Sequence, residues 1–158
     1  SFLIRAVKDP VGANLDRVQV IKGWHDKKGE LHEKIYNVVL SDSRQEDWRG
    51  KVKPVGNTVD IKDASYLNSI GDPELAVVWT DPDFDKHELA FYYVRVLEIP
   101  TPRWTAYDAK YFRVRHEVAG MSCLTQTKEQ KKEDCTEIPM VTQERAYTSP
   151  IWYTPKGQ

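Results

Sequence analysis

Apolar and polar residues alternate in several segments of this chain with a period of two, which is the pattern of half-buried β-strands. Val18, Val20 and Trp24 fall on one face of a segment whose other face carries Arg17 and Gln19. Asp26-Lys27-Lys28-Gly29 follows as a turn, with Gly29 free to take positive φ. Leu31 to Leu40 then returns with Tyr36, Val38 and Leu40 on one face, predicting an antiparallel hairpin. Ser1 to Val7 and Leu75 to Thr80 read as two further strands. Val55, Val59 and Ile61 alternate with Gly56, Thr58 and Asp60, which predicts a short one. The strongest strand is Phe91-Tyr92-Tyr93-Val94-Arg95-Val96-Leu97-Glu98-Ile99, because β-branched and aromatic residues suit a pleated surface. Glu144 to Tyr153 reads as a second element of this kind.

Between these segments the chain is polar. Ser41 to Pro54 reads as a loop, with one helical turn near Trp48. Pro100-Thr101-Pro102 ends the aromatic strand, and Thr101 followed by Pro102 has the form of an N-cap and first helical residue. One short helix is therefore predicted near residues 102–111. Short strands separated by turns predict an all-β fold, an antiparallel β-sandwich of immunoglobulin-like or Greek-key type. Residues 1–158 suit a single domain, long enough to bury about 70% of its unfolded surface without a metal or disulfide scaffold. The chain opens inside a strand, as the C-terminal portion of a longer protein would.

Composition narrows the partners. A net charge of -1 gives no steering toward nucleic acid or an anionic membrane, and neither is an expected partner. Cys123 and Cys135 lie in the most polar stretch. They are either two free thiols or a loop-closing disulfide contributing about 3 kcal/mol. The disulfide is the favoured reading and inclines toward a periplasmic or secreted location.

Chemistry-bearing motifs are few. Asp81-Pro82-Asp83-Phe84-Asp85 begins like a calcium loop, but Lys86 and Tyr92 stand where Gly and Glu are needed, so a turn capped by aspartates is expected. His25, His32, His87 and His116 have no metal-ligand spacing, although His25 and His32 flank one turn. No catalytic residue and no metal ligand is assigned, and no cofactor is expected in this chain. Arg103, Trp104, Tyr107 and Asp108 are the candidate ligand or domain-interface residues. Arg supplies a planar fork and Trp a flat apolar face. On a helix, Arg103 shares a side with Tyr107, and Trp104 with Asp108. The plain alternative has Trp104 plugging the sandwich end and Arg103 pairing with a carboxylate. Arg95, inside the aromatic strand, is expected in a buried ion pair.

Four stretches carry a family resemblance: Gly12 to Trp24, Val55 to Asp60, Ala90 to Trp104 and Glu144 to Pro155. Together they resemble the bacterial domain-of-unknown-function family 3604, over nearly the whole chain. Full-length relatives carry, upstream, a paired-histidine motif that resembles the start of PHP-type metal-dependent phosphoesterases. The resemblance implies an accessory β-sandwich packed on a metal-dependent hydrolase domain. That N-terminal domain of the same polypeptide would be the partner, and a divalent metal would belong to it. This chain has no such motif, so no catalytic residue carries over. A small-ligand or carbohydrate module using the Arg103–Trp104 region is the alternative.

Overall fold

A computed structural model describes residues 1–112 and 139–155. The elements are β1 (Phe2–Val7), β2 (Leu15–His25), β3 (Leu31–Leu40), β4 (Glu74–Trp79), β5 (Leu89–Glu98), β6 (Thr101–Pro102), α1 (Trp104–Tyr111), β7 (Val141–Thr142), β8 (Arg145–Tyr147) and β9 (Ile151–Tyr153). The main sheet has the order β3-β2-β5-β8, with β9 also paired to β5. A second, two-stranded sheet joins β1 to β4. All these pairings are antiparallel. The fold is an all-β sandwich, with one short helix among the described residues.

Period-two alternation builds the core. Register places Val18, Val20, Lys22 and Trp24 of β2 beside Val96, Val94, Tyr92 and Ala90 of β5, all on one face. That face packs against Ile4 and Leu75 of the small sheet, with Phe2, Ala6, Val77 and Trp79 closing the edges. Each aliphatic side chain so buried contributes about 1.5–3 kcal/mol. A register shift between Val18 and Gln19 puts an irregularity into the β2–β3 pairing.

The hairpin, the aromatic strand and the strands expected at Ser1 to Val7 and Leu75 to Thr80 all form. Other elements differ. Glu144 to Tyr153 is two strands, because Ser149-Pro150 interrupts the ladder and Thr148 turns the chain with its hydroxyl, accepting the Val94 N–H at 3.0 Å. Residues 55–61 form no strand. Gly56 has φ +101, Asn57 caps the Val59 amide, and Thr58 bonds Leu67, so local side chains take the backbone groups a ladder would need. Trp48 sits in a turn rather than a helical one. Asp47 Oδ1 accepts the amides of Arg49 and Lys51 there. Thr101-Pro102 is not the helix start. It pairs with Val141-Thr142, and extended Arg103 becomes the N-cap while donating its N–H to Met140. The cysteines Cys123 and Cys135 and His116 lie outside the described residues.

The long connections hang from two buried polar residues of β2 and its approach. Asp16 is completely buried. It accepts from Arg44 Nη2 at 2.5 Å, Arg17 Nε at 3.0 Å and Gln143 Nε2 at 2.8 Å. Asn14 Nδ2 is shared among the carbonyls of Asn68, Ile70 and Gly71. Gly71 completes this join at φ +72, where a Cβ would stand 2.6 Å from Ile99 Cγ2 and 2.8 Å from the Leu15 carbonyl.

Gly71→Ala is expected to lower stability by about 2–4 kcal/mol in urea unfolding, from left-handed strain plus the clash. Gly50, at φ +73 with nothing within 4 Å, isolates the strain alone. Gly50→Ala should cost only about 1 kcal/mol.

Candidate functional site

Two places on the sandwich carry side chains beyond what packing requires. The first is the outer face of the main sheet. Its residues are those that alternate with the core: Gly23 and His25 on β2, Leu31 and Ile35 on β3, Phe91, Tyr93 and Arg95 on β5. Register adds Tyr147 opposite Arg95 and Trp152 opposite Phe91. The rings form a continuous row. Trp152 lies 5.2 Å from Phe91, Phe91 is 6.4 Å from Tyr93, and Tyr93 is 6.3 Å from Tyr147. Gly23 permits the row, since a Cβ there would meet the Phe91 ring at 2.3 Å. Trp152 is 72% exposed and Leu31 84%. At one end this face opens into a groove of about 490 Å³, walled by Phe91, Trp152, Leu31 and Leu89, with His25 and Glu33 as polar members. Such an apolar concavity with few polar groups is the usual form of a binding site.

The second place is buried. Lys22 points into the core face of β2 and is 2% exposed. Its Nζ lies 2.6 Å from Asp81 Oδ2 and donates at 2.6 Å to the Asp83 carbonyl. Trp24 and Tyr92 flank the ammonium at 5.1 and 5.9 Å from their ring centres. The Tyr92 hydroxyl donates to Asp81 Oδ2 at 2.8 Å. Nearer the surface, Lys34 and the Tyr36 hydroxyl both donate to Asp83 Oδ2. Burial pulls the Asp81 carboxyl upward, yet the hydrogen bonds from Lys22 and Tyr92 outweigh it and hold the group below its ordinary value. Burial first, and then the bond to Asp81, pushes the Tyr92 phenol up; burial and Asp83 do the same for Tyr36. The period-two reading of β2 passed over Lys22, though its position between Val20 and Trp24 marked it as a charge on the core face.

The comparisons with known proteins bear on the sequence stretches that build these places. A family model described as a protein of unknown function, DUF3604, matches residues 1–155. The chain belongs to the DUF3604 family. No curated protein and no solved structure matches it. In this DUF3604 chain the Gly12 to Trp24 stretch is an architectural one. Asn14 and Asp16 fasten loops, Lys22 fastens the two layers, and Gly23 seats Phe91.

The residues singled out from sequence are placed as follows. Arg103 is half-buried at the N-cap of α1, and Trp104, Tyr107 and Asp108 are exposed on the helix. Trp104 is 64% exposed and so plugs nothing. The helix instead buries Thr105, Ala106 and Ala109, against Ala64 and Met140. The outer-face groove and two smaller cavities are lined by none of the four residues. Among the described residues Arg95 bonds the Gln19 amide oxygen at 2.8 Å and no carboxylate, because Gln19 is its direct cross-strand neighbour. His25 and His32 do not approach one another, since adjacent pairs on the ladder point to opposite faces; His32 stacks on Trp24 at 5.1 Å. Asp81 and Asp85 cap turns as expected, through the amides of Asp83 and His87.

Asp26, Glu30 and His32 bring ligand atoms within 4.8 Å of one another. Both Asp26 oxygens are already engaged, Oδ1 by the amides of Lys28 and Glu30 and Oδ2 by His32. The trio is a hairpin-turn cap. The His32 bond, followed by the Glu30 amide, holds the Asp26 carboxyl at about 2, against an ordinary 3.8. A depressed folded-state value means that Asp26 stabilises the fold fully above the ordinary value and loses that effect as pH falls through about 2. Asp26→Asn should therefore lower the urea midpoint at pH above 3.8, with the gap from the native chain closing toward pH 2.

Proposed function

We propose that this chain is a non-catalytic accessory β-sandwich whose outer sheet face docks on a metal-dependent hydrolase domain of the same polypeptide. The observation that carries this reading is the row Trp152–Phe91–Tyr93–Tyr147 with its adjoining groove. Aromatic residues concentrate where an interface excludes water, because each buries a large area at low entropic cost. Leu31, Ile35 and Leu89 extend the apolar surface around the row. An exposed patch of this kind marks a docking surface more often than it marks a solvated one. The role assigned to the chain is to hold and border the catalytic domain's cleft. Any divalent metal and the hydrolytic step belong to that domain. Exposed Trp104, Tyr107 and Asp108, with half-buried Arg103 at the N-cap, form a second aromatic-rich surface for the same contact.

A second reading is a small-ligand or carbohydrate module. The groove favours it, since a sugar ring or other flat ligand can stack on Trp152 and Phe91 while His25 and Glu33 take its hydroxyls. That reading moves the ligand site from the Arg103–Trp104 region to the far end of β5.

Hydroxyl-radical footprinting of this chain alone and within its longer polypeptide separates the two. Docking predicts that oxidation of Trp152 and Tyr147 falls several-fold in the longer polypeptide. Equal oxidation in both would remove the docking reading. The ligand module predicts glycan binding by the isolated chain that Trp152→Ala abolishes.

A further inference from the structure

The Lys22–Asp81 pair has more around it than an ion pair requires. Amine nitrogen and carboxylate oxygen are 2.6 Å apart, with side chains 3% and 4% exposed. One member lies on β2 of the main sheet, and the other follows β4 of the small sheet, 59 residues further along the chain. Both carboxylate oxygens have donors besides Lys22. The Asp83 N–H donates to Asp81 Oδ1 at 2.9 Å, and the Tyr92 hydroxyl donates to Oδ2 at 2.8 Å. The Asp83 carbonyl accepts from Lys22 Nζ at 2.6 Å and fixes where the amine points.

We propose that Lys22 and Asp81 join in an intramolecular isopeptide bond that staples the two layers of the sandwich. The parts of an acyl-transfer site are present. Lys22 is the nucleophile and Asp81 Cγ the electrophile. The Asp83 N–H stands where negative charge develops on Oδ1, as an oxyanion donor does. Tyr92 assists departure of Oδ2 by hydrogen bonding.

The step balances without any co-reactant. The ammonium first passes a proton to Asp81 Oδ2 along their hydrogen bond, giving neutral amine and neutral acid. Burial favours this exchange, because it removes two charges from a poorly solvated place. The Nζ–Cγ bond forms and the Cγ–Oδ2 bond breaks. Oδ2 leaves as water, carrying the transferred proton and a second one from nitrogen. The product is a neutral amide, with no change of oxidation state. The hydrogen bonds that keep Asp81 ionised oppose the first transfer and make the reaction slow. Exclusion of water favours the amide once it has formed.

Intact-mass spectrometry of the reduced, purified chain tests this. The expected mass is one water below that of the sequence, and tandem spectra of a digest should contain Lys22 and Asp81 in one branched peptide. Lys22→Arg keeps the positive charge and should restore the full sequence mass. Tyr92→Phe should leave a larger unlinked fraction at early times after folding. A native chain that keeps its full sequence mass, with no branched peptide after prolonged folded incubation, would overturn the proposal and leave an ion pair only.

Discussion

The sandwich depends on a small sheet covering the inner face of a larger one. β1 and β4 supply only two strands, yet they bury Val18, Val20, Ala90 and Tyr92 of the main sheet. The inner face of the five-stranded sheet stabilises the fold only once it leaves water. Two further contacts hold this narrow cover in place. Phe2 and Trp79 pair their rings at its edge, and Phe2 reaches Tyr92 across the gap. The Lys22–Asp81 contact ties the end of β4 to β2 in the same gap.

Polar residues then do what the thin core cannot. Asp16 is buried without exposure, which would be costly for a lone carboxylate. Arg44, Arg17 and Gln143 supply it with partners from three parts of the chain. A network with all members satisfied rigidifies, whereas removing one leaves a buried charge exposed to its full desolvation cost. Asn14 plays the same part for the 68–71 connection. These hubs explain why long, polar loops pack closely against the sandwich rather than hanging free. On the outer face of β5, Phe91 and Tyr93 stand in the aromatic row.

Strand alternation was legible because a period of two is a local property. The hairpin and the aromatic strand could be read from it. The 55–61 segment shows where the same signal misleads. Its alternation is real, but Asn57 and Thr58 offer the backbone nearer partners than any strand does. The helix boundary shows a related failure. Thr101-Pro102 has the composition of a cap, and a two-residue pairing with Val141-Thr142 takes it instead. The candidate cluster at Arg103 to Asp108 was found through residue type alone. The outer-face groove was not found, because Gly23, Phe91, Leu31 and Trp152 come from four strands that only the sheet order brings together.

The sequence by itself therefore determined the all-β class, the main strands and their turn, and the family through its motif stretches. The class, the strands and the turn rest on nearest-neighbour preferences and on alternation, which need no knowledge of distant contacts. Only the tertiary structure decided which face of β5 is covered and which polar residues are buried. It alone set Lys22 against Asp81 across 59 residues of chain. Pairing at that separation is set by packing, and no local pattern of residues encodes it.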